Sequence, residues 1–191
     1  ETLLILGAAG GVGAAAIELG KATGARVIAA VSSQEKADFC TDLGADATII
    51  YPRTLDRDAQ KALSAEINTV AGPNGVDVAY DPVGGDTFHQ VRRCMGWDGR
   101  LLFIGFVAGI PEVKTNHALL KSYSIVGVHW GASLARFPES LGRQMTTLLA
   151  MAAEGTVDPP LYPPYSFDDA ATALQDLADR KTHGKVVVTL A

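Results

Sequence analysis

A glycine-rich loop near the start of the chain constrains the fold more than any other feature. It covers residues 7–13, follows the apolar run at residues 2–6, and leads directly into an alanine-rich stretch. The apolar run has the length of a buried strand, and the stretch after the loop has helical spacing up to Gly24. A unit of strand, loop and helix predicts an α/β fold with a parallel sheet.

This loop has the chemistry of a site for a dinucleotide. Gly10 would let the backbone approach a pyrophosphate group, and Gly13 would let the helix pack closely against the strand. The free N–H groups at the start of the helix favour an anion. Ala8 occupies the first glycine position of the pattern, and a tight turn that merely connects two elements is the alternative interpretation.

A second glycine spacing, Gly7, Gly11 and Gly13, matches short-chain dehydrogenases. Those enzymes need a Tyr with a Lys four residues later as their acid/base pair. None of the five tyrosines has such a lysine, so this interpretation fails on its chemistry.

The end of the second predicted strand favours NADP over NAD. NAD-binding units place a carboxylate there for the ribose 2′-OH, whereas this chain has Ser32 and Ser33, followed by Lys36. Two hydroxyls and an ammonium suit a 2′-phosphate. The same residues also form a possible capping box, with Ser32 as the cap and Glu35 reaching back, and the two roles are compatible.

Apolar runs and helical periods alternate through most of the chain. The predicted strands are Thr2–Leu6, Arg26–Val31, Ala47–Tyr51, Val76–Tyr80, Arg100–Gly105, Tyr123–Val128 and Lys185–Leu190. The predicted helices are Val12–Thr23, Gln34–Leu43, Asp56–Val70, Asp86–Cys94, Pro138–Glu154 and Phe167–Arg180, the last capped by Ser166, with a short Asn116–Lys121 turn. The fold class is therefore α/β, a doubly wound parallel sheet (Rossmann) with a C-terminal helix-strand tail.

The order of these elements also suggests domain boundaries. Residues 1–155 are expected to form the dinucleotide-binding domain, and residues 156–191 a linker, helix and strand. Four of the nine residues from Thr156 to Pro164 are proline, which excludes a helix or a central strand there. Residues 106–120 interrupt the pattern and predict a loop with room for a ligand.

Composition excludes several classes of function. Of the 191 residues, 48% are hydrophobic and 19% charged, which is too apolar for disorder. The net charge of −5, without a basic block, argues against a nucleic-acid partner, and the longest uncharged run is too short to span a membrane. Cys40 and Cys94 are too few for a disulfide framework, so a cytoplasmic location is expected. The four scattered histidines predict no metal site.

Several segments together resemble the medium-chain dehydrogenase/reductase superfamily, and more closely its zinc-free NADPH:quinone oxidoreductase branch. The likeness covers nearly the whole chain. The segments that carry it are Gly7–Gly13, Leu43–Asp46, Gly75–Gly85, Gly99–Gly105, Leu120–Lys121, Ile125–Gly127 and His183–Val187.

The resemblance implies a set of cofactor contacts. The pyrophosphate would lie on Gly10, Gly11, Val12 and Gly13, and the 2′-phosphate near Ser32, Ser33, Lys36 and Tyr51. Pro82, Val83 and Gly84 would border the adenosine and ribose, and Phe106 and Val107 the nicotinamide. Tyr51 and Phe106 are equally compatible with plain packing roles. Asn116 and Lys121 are candidates for the loop that closes over the cofactor, and no catalytic residue is assigned.

The branch reduces quinones or α,β-unsaturated carbonyls with hydride from NADPH, so the resemblance implies such an oxidoreductase. Its members carry a barrel-like catalytic domain ahead of the glycine loop, so this chain is expected to be the cofactor-binding half, with its tail returning to that domain. A non-catalytic nicotinamide-nucleotide-binding module and the enoyl reductase part of a larger synthase are the alternatives. The uncharged segment Tyr123–Val128 is expected to pair with its copy in a homodimer.

Overall fold

The computed structural model describes residues 1–190, and a six-stranded parallel sheet forms its centre. The sheet has the order β3-β2-β1-β4-β5-β6, with helices on both faces. This confirms the predicted doubly wound Rossmann fold. The strands of this sheet are β1 (Thr2–Leu6), β2 (Arg26–Val31), β3 (Ala47–Ile50), β4 (Val76–Asp81), β5 (Met95–Phe103) and β6 (Ser124–Gly127).

Eight helices accompany the strands in the described part of the chain. They are α1 (Gly11–Ala22), α2 (Gln34–Asp42), α3 (Arg57–Ala71), α4 (Gly85–Cys94), α5 (Asn116–Lys121), α6 (Trp130–Arg136), α7 (Glu139–Ala153) and α8 (Ala170–Ala178). None of them, within residues 1–190, combines the length and apolarity needed to cross a membrane.

The alternation of side chains along β1 divides the core between the two faces of the sheet. Leu4 and Leu6 lie in one buried cluster with Leu63 of α3 and Phe88 of α4. Ile5 points to the other face and packs with Ile17 of α1. Because both faces are covered, the strands are apolar almost throughout, as expected for a parallel sheet.

The order of the sheet reverses between β1 and β4. β1 pairs with β2 on one side and with β4 on the other. From β2 the sheet continues outward to β3, and from β4 it continues in the opposite direction to β5 and β6. In open α/β sheets, ligands bind at the carboxyl ends of the strands beside this switch point. The glycine loop follows β1 at this place.

Several elements differ from their predicted extents. β5 begins at Met95 rather than Arg100, because Met95 already pairs with Val76 of β4. A register shift between Val76 and Val78 accommodates the extra residues of β5, which include Gly96 and Gly99. The helix α6 was not predicted; it is short and contains Gly131, a poor helix former.

The C-terminal tail folds back towards the sheet. Two residues, Tyr165 and Ser166 (β7), pair in parallel with Val188–Thr189 (β8), so the predicted last strand is much shorter than Lys185–Leu190. Ser166 caps a 3₁₀ turn that precedes α8, and α8 ends at Ala178, before Arg180. The proline-rich stretch before β7 forms no helix or strand, as predicted.

Candidate cofactor-binding site

A cleft of about 230 Å³ opens at the carboxyl ends of the strands beside the switch point. It brings together the glycine loop, the ends of β2, β3 and β4, and the C-terminal tail. Its lining residues are Gly7, Ala9, Gly10, Gly11, Val31, Ser32, Lys36, Tyr51, Val83, Val107, Leu177, Arg180, Thr182 and Gly184.

The glycine loop brings the start of α1 to the edge of the cleft. Gly10 is the N-cap of α1 and offers no side-chain acceptor, and the first turn holds no acidic residue. A methyl group at Gly13 would lie 2.6 Å from both the Cα and the carbonyl oxygen of Ala8, so only glycine allows this close packing. The first N–H groups of α1 are therefore left open to an anion.

The N-cap of α2, just after the end of β2, differs from the predicted one. Ser33, not Ser32, is the N-cap of α2, because the Lys36 N–H donates to Ser33 Oγ at 3.4 Å. Ser32 therefore does not have the predicted role in the capping box. It lines the cleft instead, beside Lys36 and Tyr51.

Basic side chains gather at this end of the cleft. The Lys36 ammonium donates to the Arg180 carbonyl oxygen at 2.7 Å, and both residues line the cleft. Burial lowers the pKa of Lys36, and the positive charges of Arg53 and Arg180 lower it further. Within residues 1–190, none of these three cations forms a salt bridge with a carboxylate. The charge of Glu35 opposes the lowering of the Lys36 pKa in part. Cations that are not engaged in salt bridges suit an anionic ligand.

Tyr51 contributes a neutral phenol to the cleft. Burial, and secondarily the charge of Asp81, raises the pKa of Tyr51 to about 12. The hydroxyl therefore stays protonated at neutral pH and can donate a hydrogen bond. It is not available as a base.

Asp81 shapes the other wall of the cleft from a fully buried position. Its Oδ1 accepts hydrogen bonds from the N–H groups of Val83 at 2.8 Å and Gly84 at 2.9 Å. Burial raises the pKa of Asp81, whereas these two hydrogen bonds oppose the rise. Asp81 thus fixes the turn that presents Val83 to the cleft.

The loop after β5 packs directly on that turn. The Ala108 N–H donates to the Val83 carbonyl oxygen at 2.9 Å, and this places Val107 in the cleft. Gly84 makes the approach possible, since a methyl group there would lie 2.7 Å from the Gly109 carbonyl oxygen. Phe106 stacks on Phe103 with ring centroids 6.1 Å apart.

The structure brings together only part of the predicted site. Seven of the thirteen predicted cofactor contacts line the cleft: Gly10, Gly11, Ser32, Lys36, Tyr51, Val83 and Val107. The other six do not line it: Val12, Gly13, Ser33, Pro82, Gly84 and Phe106. Gly13, Ser33 and Gly84 support the cleft through the backbone, by packing or capping.

Sequence reasoning missed the contribution of the C-terminal tail. The Gly184 N–H donates to the Ala9 carbonyl oxygen at 2.8 Å, which docks the tail on the glycine loop. This contact carries Leu177, Arg180 and Thr182 to the cleft. The only local signal was the His183–Val187 segment, which was part of the family resemblance but had no assigned role.

The spatial arrangement of metal-ligand side chains in the described residues bears on metal binding. Residues 1–190 contain no group of three or more His, Cys, Asp or Glu side chains that could hold a metal ion. Cys40 and Cys94 are free and buried.

Known proteins share the sequence pattern and the fold of this chain. The family model for the zinc-binding dehydrogenases matches residues 11–147. Quinone oxidoreductase-like protein 2 from Mus musculus is 34% identical over the whole of this chain, which covers 53% of that protein. The chain thus spans about half the length of the curated relatives it matches.

Solved structures share the fold. The quinone oxidoreductase of Escherichia coli in complex with NADPH superposes with a TM-score of 0.83 at 27% identity, over 98% of this chain and 56% of that chain. A mycobacterial protein in complex with NADPH gives a TM-score of 0.86 at 28% identity, with the same coverage of both chains. The chain belongs to the zinc-binding dehydrogenase family and, within the medium-chain dehydrogenase/reductase superfamily, to the zinc-free quinone oxidoreductase branch.

Proposed function

We propose that this chain is the NADPH-binding portion of an oxidoreductase that transfers hydride from NADPH to a quinone or an α,β-unsaturated carbonyl. The observation that carries the proposal is the group of cleft residues Ser32, Lys36, Tyr51 and Arg180. They combine two cations with two hydroxyls at the place where an NAD-binding protein would have a carboxylate. The NADPH complexes of the two structural neighbours support the same cofactor.

The residues of the cleft fit the separate parts of this cofactor. Lys36 and Arg180 would hold the 2′-phosphate, and the start of α1, at Gly11, would receive the diphosphate. Val83 and Val107 would offer apolar contacts to the rest of the molecule. When bound, the cofactor supplies the hydride, and the protein contributes orientation.

Titration calorimetry with NADPH and NADH tests this assignment. We expect micromolar binding of NADPH and at least tenfold weaker binding of NADH, because only NADPH carries the 2′-phosphate. Lys36→Ala should weaken the binding of NADPH by roughly 1–3 kcal/mol and leave the binding of NADH nearly unchanged. Arg180→Ala should likewise weaken the binding of NADPH and not that of NADH. Equal affinities for the two nucleotides in the unaltered chain would remove the NADP assignment.

A further inference from the structure

A group of basic residues lies where the end of α4 meets α5. Arg92 and Arg93 occupy the last turn of α4, and Lys121 is the last residue of α5. The Lys121 ammonium donates to the Arg93 carbonyl oxygen at 2.7 Å and to the Met95 carbonyl oxygen at 2.9 Å. These two hydrogen bonds tie the helices together and hold their basic side chains in one region.

The guanidinium of Arg92 is buried in this region without a partner. Arg92 is only 5% exposed, and its Nε and Nη1 groups form no hydrogen bond within residues 1–190. The hydroxyl of Tyr123 is also buried and has no hydrogen-bond partner there. Burial raises the pKa of Tyr123, and the charge of Arg92 opposes that rise, so the phenol stays protonated and can donate. Buried donors without a partner are costly, most of all when they are charged.

Four cations surround the imidazole of His117 on α5. Partial burial lowers the pKa of His117, and four positive charges lower it further: those of Arg92, Arg93, Lys121 and Lys114. Within residues 1–190, none of these residues forms a salt bridge with a carboxylate. Such a concentration of positive charge stands out in a chain with a net charge of −5. We call these five residues the α4–α5 basic cluster.

The C-terminus of α4 accounts for only part of this arrangement. The end of a helix carries a partial negative charge, which attracts the cations of Arg93 and Lys121. Lys121 already donates to a carbonyl oxygen at that end. The buried N–H groups of Arg92 reach none of those carbonyl oxygens, so the helix terminus does not explain them.

The α4–α5 basic cluster is also distinct from the cofactor cleft. None of its five residues lines the cleft. The cleft meets α4 at the opposite end, where the turn that holds Val83 leads into Gly85. At 1.5 Å per residue, Arg92 lies about 10 Å from Gly85 along the helix axis.

We propose that the α4–α5 basic cluster is a second binding site, which takes a phosphate group, either inorganic phosphate or the phosphate monoester of a small molecule. The Arg92 guanidinium and the Tyr123 hydroxyl would donate to its oxygens, and the exposed Arg93 would add charge. A group of donors with several positive charges favours a doubly charged ligand that has several acceptor oxygens.

Proton NMR of the His117 imidazole tests this proposal, with His117→Gln to identify the signal. Inorganic phosphate should raise the pKa of His117, because a bound anion offsets the surrounding cations. The dissociation constant should be about 1 mM or lower, and acetate should bind at least tenfold more weakly because it carries a single charge. Glycerol 3-phosphate separates the two sources: tighter binding than inorganic phosphate indicates a monoester, and tenfold weaker binding indicates the free ion.

Arg92→Leu should weaken phosphate binding at least tenfold, and Arg92→Lys should recover only part of it, since lysine restores the charge without the planar fork. Arg143→Leu is the matched control, because it removes the same charge from an exposed position on α7. Lys36→Met excludes a contribution from the cofactor cleft. Both controls should leave the response of His117 to phosphate unchanged.

Thermal unfolding gives a second readout that also shows whether the variants fold. Phosphate should raise the melting temperature of the unaltered chain more than that of Arg92→Leu. Without phosphate, Arg92→Leu should melt no lower than the unaltered chain, because it loses buried donors that have no partner. If Arg92→Leu did not fold, the exposed Arg93→Leu should still weaken phosphate binding severalfold. A His117 signal that ignores about 50 mM phosphate would overturn the proposal, as would a response that Arg92→Leu keeps in full or that acetate reproduces at the same concentration.

Discussion

Two helical glycines, Gly13 and Gly142, differ in what a side chain at each would meet. At Gly13 an added methyl group would collide with the backbone of Ala8, which cannot move without displacing β1 from α1. At Gly142 on the exposed helix α7, no heavy atom lies within 4 Å of the added group. The same substitution should therefore have opposite effects at the two positions.

Gly13→Ala should destabilise the fold by about 3 kcal/mol, the upper end of the usual cost of overpacking. It should also displace the start of α1 and weaken NADPH binding. Gly142→Ala should stabilise the chain by up to about 1 kcal/mol through helix propensity. Thermal unfolding of both variants checks the pair, and a Gly13→Ala protein with an unchanged melting temperature would contradict the packing described here.

Asp46 gives the fold a dependence on pH. Its carboxylate accepts hydrogen bonds from the Lys21 ammonium at 2.7 and 2.8 Å and from the Val27 N–H at 2.7 Å. The lysine, and then the Val27 N–H, lower the pKa of Asp46. Because the pKa is lower when folded, the stabilisation is complete above the unfolded pKa of about 3.9 and is lost as pH falls through the folded value.

Asp46→Asn should therefore lower the free energy of unfolding by about 1 kcal/mol at pH 7, a modest value because the pair is partly exposed. The difference from the unaltered chain should shrink below about pH 4. Urea unfolding at pH 7 and pH 3 measures it. Asp42→Asn, at an exposed carboxylate on α2, serves as the control, and a difference for Asp46→Asn that did not depend on pH would rule out the ionic contribution.

Local spacing revealed some residues of the site and could not reveal others. Lys36 follows the end of β2 by a single helical turn, so its place near the cleft could be predicted from neighbouring residues. Arg180 is 144 positions away from Lys36 and reaches it only because the tail docks on the glycine loop. The local sequence pattern around Lys36 and around Arg180 gives no indication of this long-range contact.

Elements with a continuous apolar run were the most predictable. The first four strands of the sheet lie within one residue of their predicted bounds, because burial on both faces leaves little room for polar residues. The short helix α6 and the two-residue strand β7 carry no such pattern, and their positions depend on tertiary contacts. β8 lies within the predicted strand Lys185–Leu190, but only two residues of that apolar run form a strand.

The edge strand β6 is a proposed site of dimerisation. All four of its residues are exposed, and Ile125 and Val126 are each 38% accessible. An uncharged apolar edge strand has unpaired backbone groups that favour pairing with a second copy. A two-fold dimer would join both sheets across this strand.

Ile125→Lys should convert such a dimer to a monomer, because a charged side chain on an edge strand opposes pairing. Sedimentation velocity at about 50 µM, well above a ~1 µM dissociation constant, gives the readout. Leu174→Lys, at an exposed apolar position on α8, is the control and should leave the dimer intact. A dimer that survives Ile125→Lys would place the interface elsewhere, and a monomeric unaltered chain would refute the proposal.

At the scale of the whole molecule, apolar surface concentrates after β5. Helices α5, α6 and α7 contain no buried residue, and Trp130, Phe137 and Leu149 are each more than half exposed. The two residues proposed to lie along the nicotinamide are also open, with Phe106 56% and Val107 79% accessible. In the described structure, the cleft thus has one wall at the end where hydride would leave.

This open end leads to a prediction about catalysis by the 191-residue chain itself. Hydride transfer requires the acceptor carbon to be held about 3–3.5 Å from the nicotinamide, and such positioning can supply roughly 7–11 kcal/mol of the barrier. With Phe106 and Val107 in water, an acceptor would meet the bound cofactor by random collision. The chain should therefore bind NADPH without accelerating its oxidation strongly.

The measurement is steady-state oxidation of NADPH by a simple quinone, with the Escherichia coli quinone oxidoreductase as the comparison and free NADPH as the background. At saturating NADPH, with binding verified by titration in the same buffer, the chain should raise the rate by less than about tenfold, because only a small part of the positioning free energy is available to it. A rate within tenfold of the Escherichia coli enzyme would mean that these residues already form a complete site. In that case the acceptor would have to be held by the loop after β5, where Val107 lies.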